Sequence, residues 1–250
     1  MALIGANGGL IGTQRSSDTF TALGLWTVNE QVLQRRANSW PLTSDPDFAN
    51  VELLLHMDGT NGSTTFTDNS SNAFAITANG NAQVSTAQNK FGGASGLFDG
   101  SGDYLSGTMT GGLGSGNFTL EFWYYKTANS GFIFNSRTSG TSGDGIDIRH
   151  DLQVTTSGTT LFSSLTVATN AWQHVAFVRS GSTITRYLNG EPSGTVSNAA
   201  NFSGSALRIG GSEYGNIGYL TGNMDELRIT VGVARYTTRF ALQTGPFLDV

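Results

Sequence analysis

The sequence predicts an all-β protein built as a sandwich of two antiparallel sheets. Between residues 50 and 250, short aromatic and aliphatic runs alternate with turns rich in glycine, serine, threonine and asparagine. These turn signals recur about every 8–12 residues, the spacing typical of a β-sandwich. No helix-length apolar pattern interrupts the runs, and no fixed sequence period favours a propeller or a solenoid.

The predicted strands can be followed along the chain. VELLLHMD (51–58) is the first, and shorter runs at 64–68 and 73–80 lie on either side of an Asn-Ser-Ser-Asn turn. Residues 172–190 contain two strands joined by Ser-Gly-Ser, a hairpin signal with glycine at its tip. In FTLEFWYY (118–125), alternate residues point to one face that is wholly apolar or aromatic, as in a core strand: Phe118, Leu120, Phe122 and Tyr124.

Residues 1–48 differ from the rest and are predicted to form an anchoring arm, with 43–48 as a linker or turn. A capping box at 27–30 predicts one short helix of about residues 27–37. So short a segment cannot bury its own apolar side chains, which must therefore pack on the sandwich or on another chain. The residues expected to make assembly contacts are Leu10, Ile11, Trp26 and Trp40. Residues 49–250 form the sandwich domain.

Composition disfavours several classes of protein. The net charge is −5 and the longest basic run is Arg35-Arg36, too short to neutralise a row of phosphates, so no nucleic-acid binding is expected. The chain has no cysteine, which excludes a disulfide framework and a thiolate metal site. No apolar run reaches the roughly 18 residues of a membrane span, and the N-terminus lacks the cationic segment of a secretory signal.

Several motifs occur in a characteristic order: FGGASGLFDGSGDYL (91–105), FTLEFWYY (118–125), WQHVAFVRSGSTITRYLNGE (172–191), ALRIGG (206–211), LTGNMDELRIT (220–230) and GVARYTTRF (232–240). Together they resemble the laminin-G/concanavalin-A-like lectin superfamily, and its pentraxin-like branch in particular. The resemblance covers about residues 50–248. It implies a jelly roll of two curved antiparallel sheets, a scaffold that usually binds ligands and seldom catalyses.

The stretch LIGTQR…GLWTVNEQVLQRRANSWP (10–41) also resembles the leader of such domains in tailed-bacteriophage virion proteins. This resemblance implies a protein made in the host cytoplasm and displayed on the virion surface, as a tail fibre, an adhesin or a capsid decoration. Its partners would be other virion proteins, bound through the arm, and copies of itself, with a trimer favoured by analogy. The displayed domain would bind host surface glycans. The alternatives are a purely structural subunit without sugar binding and, less favoured, a glycan hydrolase.

The acidic residues argue against catalysis. A glucanase of this fold needs two or three carboxylates alternating on one strand. Asp147 instead shares a strand face with Arg149, which predicts an ion pair, and the adjacent acids Asp225 and Glu226 should point to opposite faces. No Gly-x-Ser-x-Gly elbow is present. We therefore expect a non-enzymatic protein.

Calcium is the cofactor that the resemblance implies, because members of the superfamily often hold Ca²⁺ at the rim of the sandwich. The candidate oxygen ligands are Asp58, Asp68 and Asp225. Asp225 is expected to share a face with Leu227 and Ile229, where a buried carboxylate needs a cation or several N–H donors. The alternative role of these aspartates is hydrogen bonding to the backbone of a turn.

Sugar binding would use aromatic platforms and amide groups on loops. The candidates for carbohydrate binding are two tyrosines that flank a Gly-rich loop and two residues assigned to the polar loop 129–145: Tyr214, Tyr219, Asn135 and Arg137. Exposed loop tyrosines have a second interpretation, which is contact with a neighbouring subunit.

Overall fold

The computed structural model describes residues 44–138, 144–156, 159–212 and 218–250. They form two antiparallel sheets, which confirms the predicted all-β sandwich. The helical element in these ranges is one 3-10 turn, Phe48–Asn50, and no helix there is long and apolar enough to cross a membrane. The predicted helix at 27–37 lies outside the described residues, as do Leu10, Ile11, Trp26, Trp40 and Tyr214.

Fifteen strands are described. In chain order they are β1 (Val51–Leu55), β2 (Thr77–Asn79), β3 (Gln83–Ser85), β4 (Ser95–Asp99), β5 (Tyr104–Thr108), β6 (Phe118–Lys126), β7 (Phe132–Asn135), β8 (Asp147–Arg149), β9 (Val154–Thr156), β10 (Thr159–Phe162), β11 (Trp172–Ser180), β12 (Thr183–Leu188), β13 (Glu191–Ser197), β14 (Ala206–Ile209) and β15 (Thr221–Val231). The eight-stranded sheet has the order β13-β12-β11-β6-β15-β4-β3, with β1 also paired to β15. The seven-stranded sheet has the order β10-β9-β8-β7-β14-β5-β2.

The main apolar core lies between the two sheets. Strand β6 contributes to this core the apolar face that the sequence alternation predicts. The four side chains of that face are fully buried: Phe118, Leu120, Phe122 and Tyr124. Burying a large apolar side chain of this kind stabilises the fold by about 1.5–3 kcal/mol. The seven-stranded sheet supplies the opposing layer with Leu105, Phe134, Ile148, Leu207 and Ile209.

The opposite face of the eight-stranded sheet is also covered, which the alternation pattern does not predict. Residues 232–250, here called the C-terminal strap, cross this outer face. Their apolar side chains pack on β11 and β12, with Ala234, Tyr236 and Phe240 against Ala176, Val178 and Tyr187. The rings of Tyr236 and Phe240 stack with their centroids 3.6 Å apart.

The C-terminal strap meets the sheet at a buried charge network of Asp45, Glu121, Arg228 and Arg235. Arg228 donates from Nη2 to Glu121 Oε1 (2.7 Å) and from Nη1 to Asp45 Oδ2 (3.0 Å). Arg235 donates to both carboxylate oxygens of Asp45, at 3.0 and 2.8 Å. Burial opposes ionisation of Glu121, yet the charge of Arg228 holds the pKa of Glu121 well below its usual range.

The segment 43–48, predicted to be a linker or turn, is part of the sandwich from Asp45 onward. The N–H of Asp45 donates to the carbonyl of Val250 at 2.6 Å, while its carboxylate binds two arginines of the charge network. Residues 46–47 form a turn, in agreement with this prediction, but local composition did not indicate the long-range contacts of Asp45. The partners of Asp45 lie more than 180 residues away along the chain.

We predict that Arg228→Ala lowers the free energy of unfolding by about 3–5 kcal/mol, because it leaves two buried carboxylates without their shared partner. Urea denaturation of the full chain at pH 7 measures this loss. Arg239→Ala is the matched control, since Arg239 is exposed and lies on the same strap. Equal unfolding midpoints for the two variants would show that the network contributes little to stability.

Candidate functional site

A row of polar residues crosses the outer face of the seven-stranded sheet, one from each strand. Strand pairing sets them side by side, and residues directly opposite in antiparallel strands share a face. Each row residue has at least one chain neighbour that belongs to the core or packs against it, such as Leu207 and Ile209 beside Arg208. In order across the sheet the row consists of Thr77, Ser106, Arg208, Asn135, Asp147, Thr155 and Thr160.

Two tyrosines lie beside this row. The rings of Tyr104 and Tyr219 stack with their centroids 6.4 Å apart, and the guanidinium carbon of Arg208 lies 5.0 Å from the centre of the Tyr104 ring. Gly211 makes this arrangement possible, because a side chain at that position would meet both rings. Both tyrosines are half-buried, so their rings keep surface that a ligand can contact. The row and the two tyrosines are together called the polar face.

The centre of the polar face is held by hydrogen bonds around Asp147. Its carboxylate accepts a bond from Arg137 Nη1 at 2.6 Å and another from the amide of Asn135, which also donates to Ser212 Oγ at 3.1 Å. Burial raises the pKa of Asp147 even though Arg137 and Asn135 favour its ionised form. These contacts fix the side chains at the middle of the sheet.

The structure brings three of the four predicted carbohydrate-binding residues into one region, with two corrections. Asn135 ends strand β7 and is fully buried, contrary to the expectation that it lies on an exposed polar loop. Arg137 follows the strand but is only 9% exposed, because it is engaged with Asp147. Tyr219 is half-buried at the edge of the polar face, and Tyr214 lies outside the described residues.

The predicted ion pair between Asp147 and Arg149 is wrong. Asp147 binds Arg137, while Arg149 donates to Gln153 Oε1 at 3.0 Å and lies 3.9 Å from Asp151. Sequence analysis also missed Tyr104 and Arg208 as site residues. The signal was present in their strands, where polar residues alternate with core residues, but strand order and register were needed to place them together.

The three predicted calcium ligands do not converge on one site. Among the described residues, no group of three or more His, Asp or Glu side chains is placed to hold a metal ion. Asp68 accepts four hydrogen bonds from protein groups, three of them from backbone N–H groups, and therefore organises the turn that follows β1. This is the turn-forming role that the sequence left open as the alternative. Calcium binding stays a prediction.

Asp225 lies at a β-bulge, so its predicted position beside Leu227 and Ile229 is wrong. Asp225 pairs with Trp123 and Arg228 with Glu121, so β15 uses one more residue than β6 over this stretch. Glu226 lies at this bulge, and its φ of 50° is in the left-handed region of backbone conformation. Met224 and Leu227 face the core, whereas Asp225 is buried on the other side of the sheet.

The Asp225 carboxylate is hydrogen-bonded on one side only. Its Oδ2 accepts bonds from the backbone N–H groups of Lys90 (2.7 Å) and Phe91 (3.1 Å), whereas the buried Oδ1 has no partner among the described residues. Burial raises the pKa of Asp225 to about 8, and the nearby charges of Glu226 and Asp58 act in the same direction. This carboxyl group is therefore largely protonated at neutral pH.

Residues 99–233 match a laminin-G-type family model described as the concanavalin A-like lectin/glucanases superfamily. The match spans more than half of the chain and includes twelve of the fifteen described strands, entirely or in part. The chain belongs to this superfamily. A comparison with curated protein sequences finds no match.

Solved structures with the same fold show low sequence identity. Domain 4 of an extracellular arabinanase from Geobacillus stearothermophilus, solved in complex with arabinotriose, has a TM-score of 0.56 at 14% identity over 74% of this chain and 94% of that one. The binding domain of botulinum neurotoxin serotype D/C has a TM-score of 0.52 at 15% identity, over 75% of this chain and 50% of that one. A Trypanosoma rangeli sialidase mutant with trans-sialidase activity has a TM-score of 0.52 at 11% identity, over 73% of this chain and 31% of that one. These likenesses show the fold of the superfamily alone.

We predict that Asp225→Asn changes how the stability of this superfamily member depends on pH. An acid with a folded-state pKa above its unfolded value loses stabilisation as the pH rises between the two values, here from 3.8 to about 8. Wild type should therefore lose stability relative to Asp225→Asn across this range, by up to about 1.4 kcal/mol per pH unit. Urea denaturation at a series of pH values gives both curves.

Asp99→Asn is the control for this experiment. Hydrogen bonds from Asn81 and Ser101 lower the pKa of the exposed Asp99, so any difference from wild type has the opposite sign. Parallel curves for wild type and Asp225→Asn would contradict the raised pKa.

Proposed function

We propose that the protein is a non-enzymatic glycan-binding module and that the polar face is its binding surface. The observation that supports this most is the row of seven polar residues, one from each strand, with a tyrosine pair beside it. A sugar offers hydroxyl groups to polar side chains and a weakly polar ring face to an aromatic ring. The arabinanase domain of the same fold, solved with arabinotriose, adds support at the level of fold.

The residues of the polar face have different roles in this proposal. Tyr104, Tyr219 and Arg208 are partly exposed and contact the sugar directly. Asn135 and Asp147 are buried below the surface and hold Arg137 in place, so they are positioning residues. A surface that is fixed before binding loses little side-chain entropy when a ligand arrives.

The acidic residue of the row also supports a binding role without catalysis. Glycosidases use a pair of carboxyl groups, about 5–5.5 Å apart in retaining enzymes and about 6.5–9.5 Å apart in inverting ones. In the described row the carboxylate is that of Asp147, and it is engaged by Arg137 and Asn135. We propose that this carboxylate is structural.

The proposed setting is the surface of a tailed-bacteriophage virion, where the arm of residues 1–48 anchors the protein to other virion proteins. Contacts by Leu10, Ile11, Trp26 and Trp40 would hold the arm in the particle, and the protein would assemble as a trimer. Three or more copies on one particle strengthen adhesion, because shallow sugar sites bind weakly one at a time. The resemblance of the arm to phage leaders is what supports this part of the proposal.

We predict that the double substitution Tyr104→Ala/Tyr219→Ala reduces glycan binding at least tenfold, because it removes the aromatic surface of the polar face. Arabinotriose is the first probe, followed by an array of bacterial surface glycans, with the full chain as the test protein. Tyr125→Ala is the matched control, because Tyr125 lies in the other sheet. Its ring packs against that of Trp172, with the ring centroids 5.5 Å apart. Equal binding by wild type and by the double variant, at unchanged melting temperature, would show that the polar face is not the binding surface, whereas no glycan binding by wild type would favour the purely structural role.

We also predict that deletion of residues 1–40 abolishes trimer formation and leaves the sandwich folded. The deletion retains Asp45, on which the buried charge network depends. Light scattering compares the mass of the full chain with that of the 26.3 kDa monomer, and circular dichroism checks the fold of the shortened protein. A full chain that is monomeric at micromolar concentration would contradict the assembly role of the arm.

A further inference from the structure

A polar cleft of about 680 Å³ opens at one end of the sandwich, where it is lined by residues of three connections. Lys126 is the last residue of β6, and Asn129 lies in the connection that follows it. His150 and Asp151 lie in the turn between β8 and β9, and residues 164–169, in the connection between β10 and β11, complete the lining. Ligand pockets commonly have volumes of about 300–1,000 Å³. We call this the strand-end cleft.

Backbone hydrogen bonds hold the walls of the strand-end cleft in place. The N–H of Leu165 donates to the carbonyl of Asp151 at 2.7 Å, and the N–H of Asn170 donates to the carbonyl of Lys126 at 2.8 Å. Val167, in the same connection, is buried in the core. The cleft is thus built from anchored segments, and its shape is formed before a ligand arrives.

The polar side chains of the cleft combine donors and acceptors without an excess of either charge. Lys126 Nζ donates to Asn129 Oδ1 at 3.0 Å, and burial lowers the pKa of Lys126. Asp151 Oδ1 accepts a bond from the N–H of Gln153 at 3.2 Å, which leaves its carboxylate further acceptor capacity. Burial also lowers the pKa of His150, which favours the neutral form of its ring.

A buried hydroxyl group on β6, two residues before Lys126, adds an independent observation. Tyr124 Oη is fully buried and has no hydrogen-bond partner among the described residues. Burial raises the pKa of Tyr124, and the negative charge of Asp151 acts in the same direction. An orphaned buried hydroxyl costs free energy unless a water molecule or a ligand group completes its hydrogen bonding.

We propose that the strand-end cleft is a second ligand site, separate from the polar face, and that it binds a neutral carbohydrate. Asp151 would accept hydrogen bonds from vicinal hydroxyl groups, while Lys126 and Asn129 would donate to ring and hydroxyl oxygens. Leu165 and Ala168 offer a small apolar surface to the sugar ring. The carboxylate of Asp151 disfavours an anionic ligand such as a phosphate, and the ammonium group of Lys126 disfavours a cationic one.

The test uses the full chain carrying Tyr104→Ala/Tyr219→Ala, so that sugar bound at the polar face does not hide binding at the cleft. Isothermal titration measures its affinity for neutral di- and trisaccharides, including arabinotriose. Ala168→Trp is then added to fill the cleft, because Ala168 is exposed on its wall. We expect at least a tenfold loss of affinity, and a similar loss with Asp151→Asn, which retains an oxygen to accept the Gln153 bond.

Ala199→Trp is the matched control. Ala199 is exposed and lies beside Asn198, whose N–H donates to Ser182 at the opposite end of the sheet, so the added ring should leave affinity unchanged. The proposal is overturned if the Tyr104→Ala/Tyr219→Ala protein binds no neutral saccharide, if Ala168→Trp has no effect on it, or if only sulfated or uronic-acid saccharides bind. A different result would show that the polar face is not a binding site: the Tyr104→Ala/Tyr219→Ala variant would then bind saccharide as well as wild type does.

Discussion

The interaction on which the rest of the structure depends is the buried pairing of Arg228 with Glu121 and Asp45. A guanidinium group in the interior is tolerated only when its charge and its donors are satisfied, and here two carboxylates from distant parts of the chain satisfy them. Glu121 lies in the central strand β6, Arg228 in β15, and Asp45 before the first strand. The network therefore forms only when both ends of the described chain lie against the eight-stranded sheet.

This arrangement makes the two outer faces of the sandwich different. On the eight-stranded sheet, the C-terminal strap covers the charge network and adds the small cluster around Tyr187, so side chains on both faces of β6 are buried. On the seven-stranded sheet, the outer row is polar: Asn135 and Asp147 are buried, while Ser106, Arg208 and the neighbouring Tyr104 are partly exposed. Covering one face thus leaves the other as the broad surface on which a ligand can lie.

Much of the fold could be predicted from the sequence, because period-2 alternation in a strand such as 118–125 identifies the side chains that face the core between the sheets. Two features could not. The bulge at Glu226 adds one residue to β15 and moves Asp225 to the other face, and nothing in the run MDELRI marks it. The pairing of Asp45 with Arg228 and Arg235 joins residues more than 180 positions apart, whereas sequence patterns report only local structure.

The candidate site was less predictable for the same reason, since it is defined across strands. Arg208 looks like an ordinary exposed residue between Leu207 and Ile209, and it becomes part of a row only when β14 lies between β5 and β7. Asn135 was selected from the sequence as a residue of a polar loop. In the structure its amide is buried and donates hydrogen bonds to Asp147 and Ser212. A buried amide and carboxylate beneath the partly exposed side chains of Arg208, Tyr104 and Tyr219 give a rigid base with a polar upper surface. Side chains that are already fixed lose little entropy when a ligand arrives, which is the physical reason for proposing this face as the binding surface.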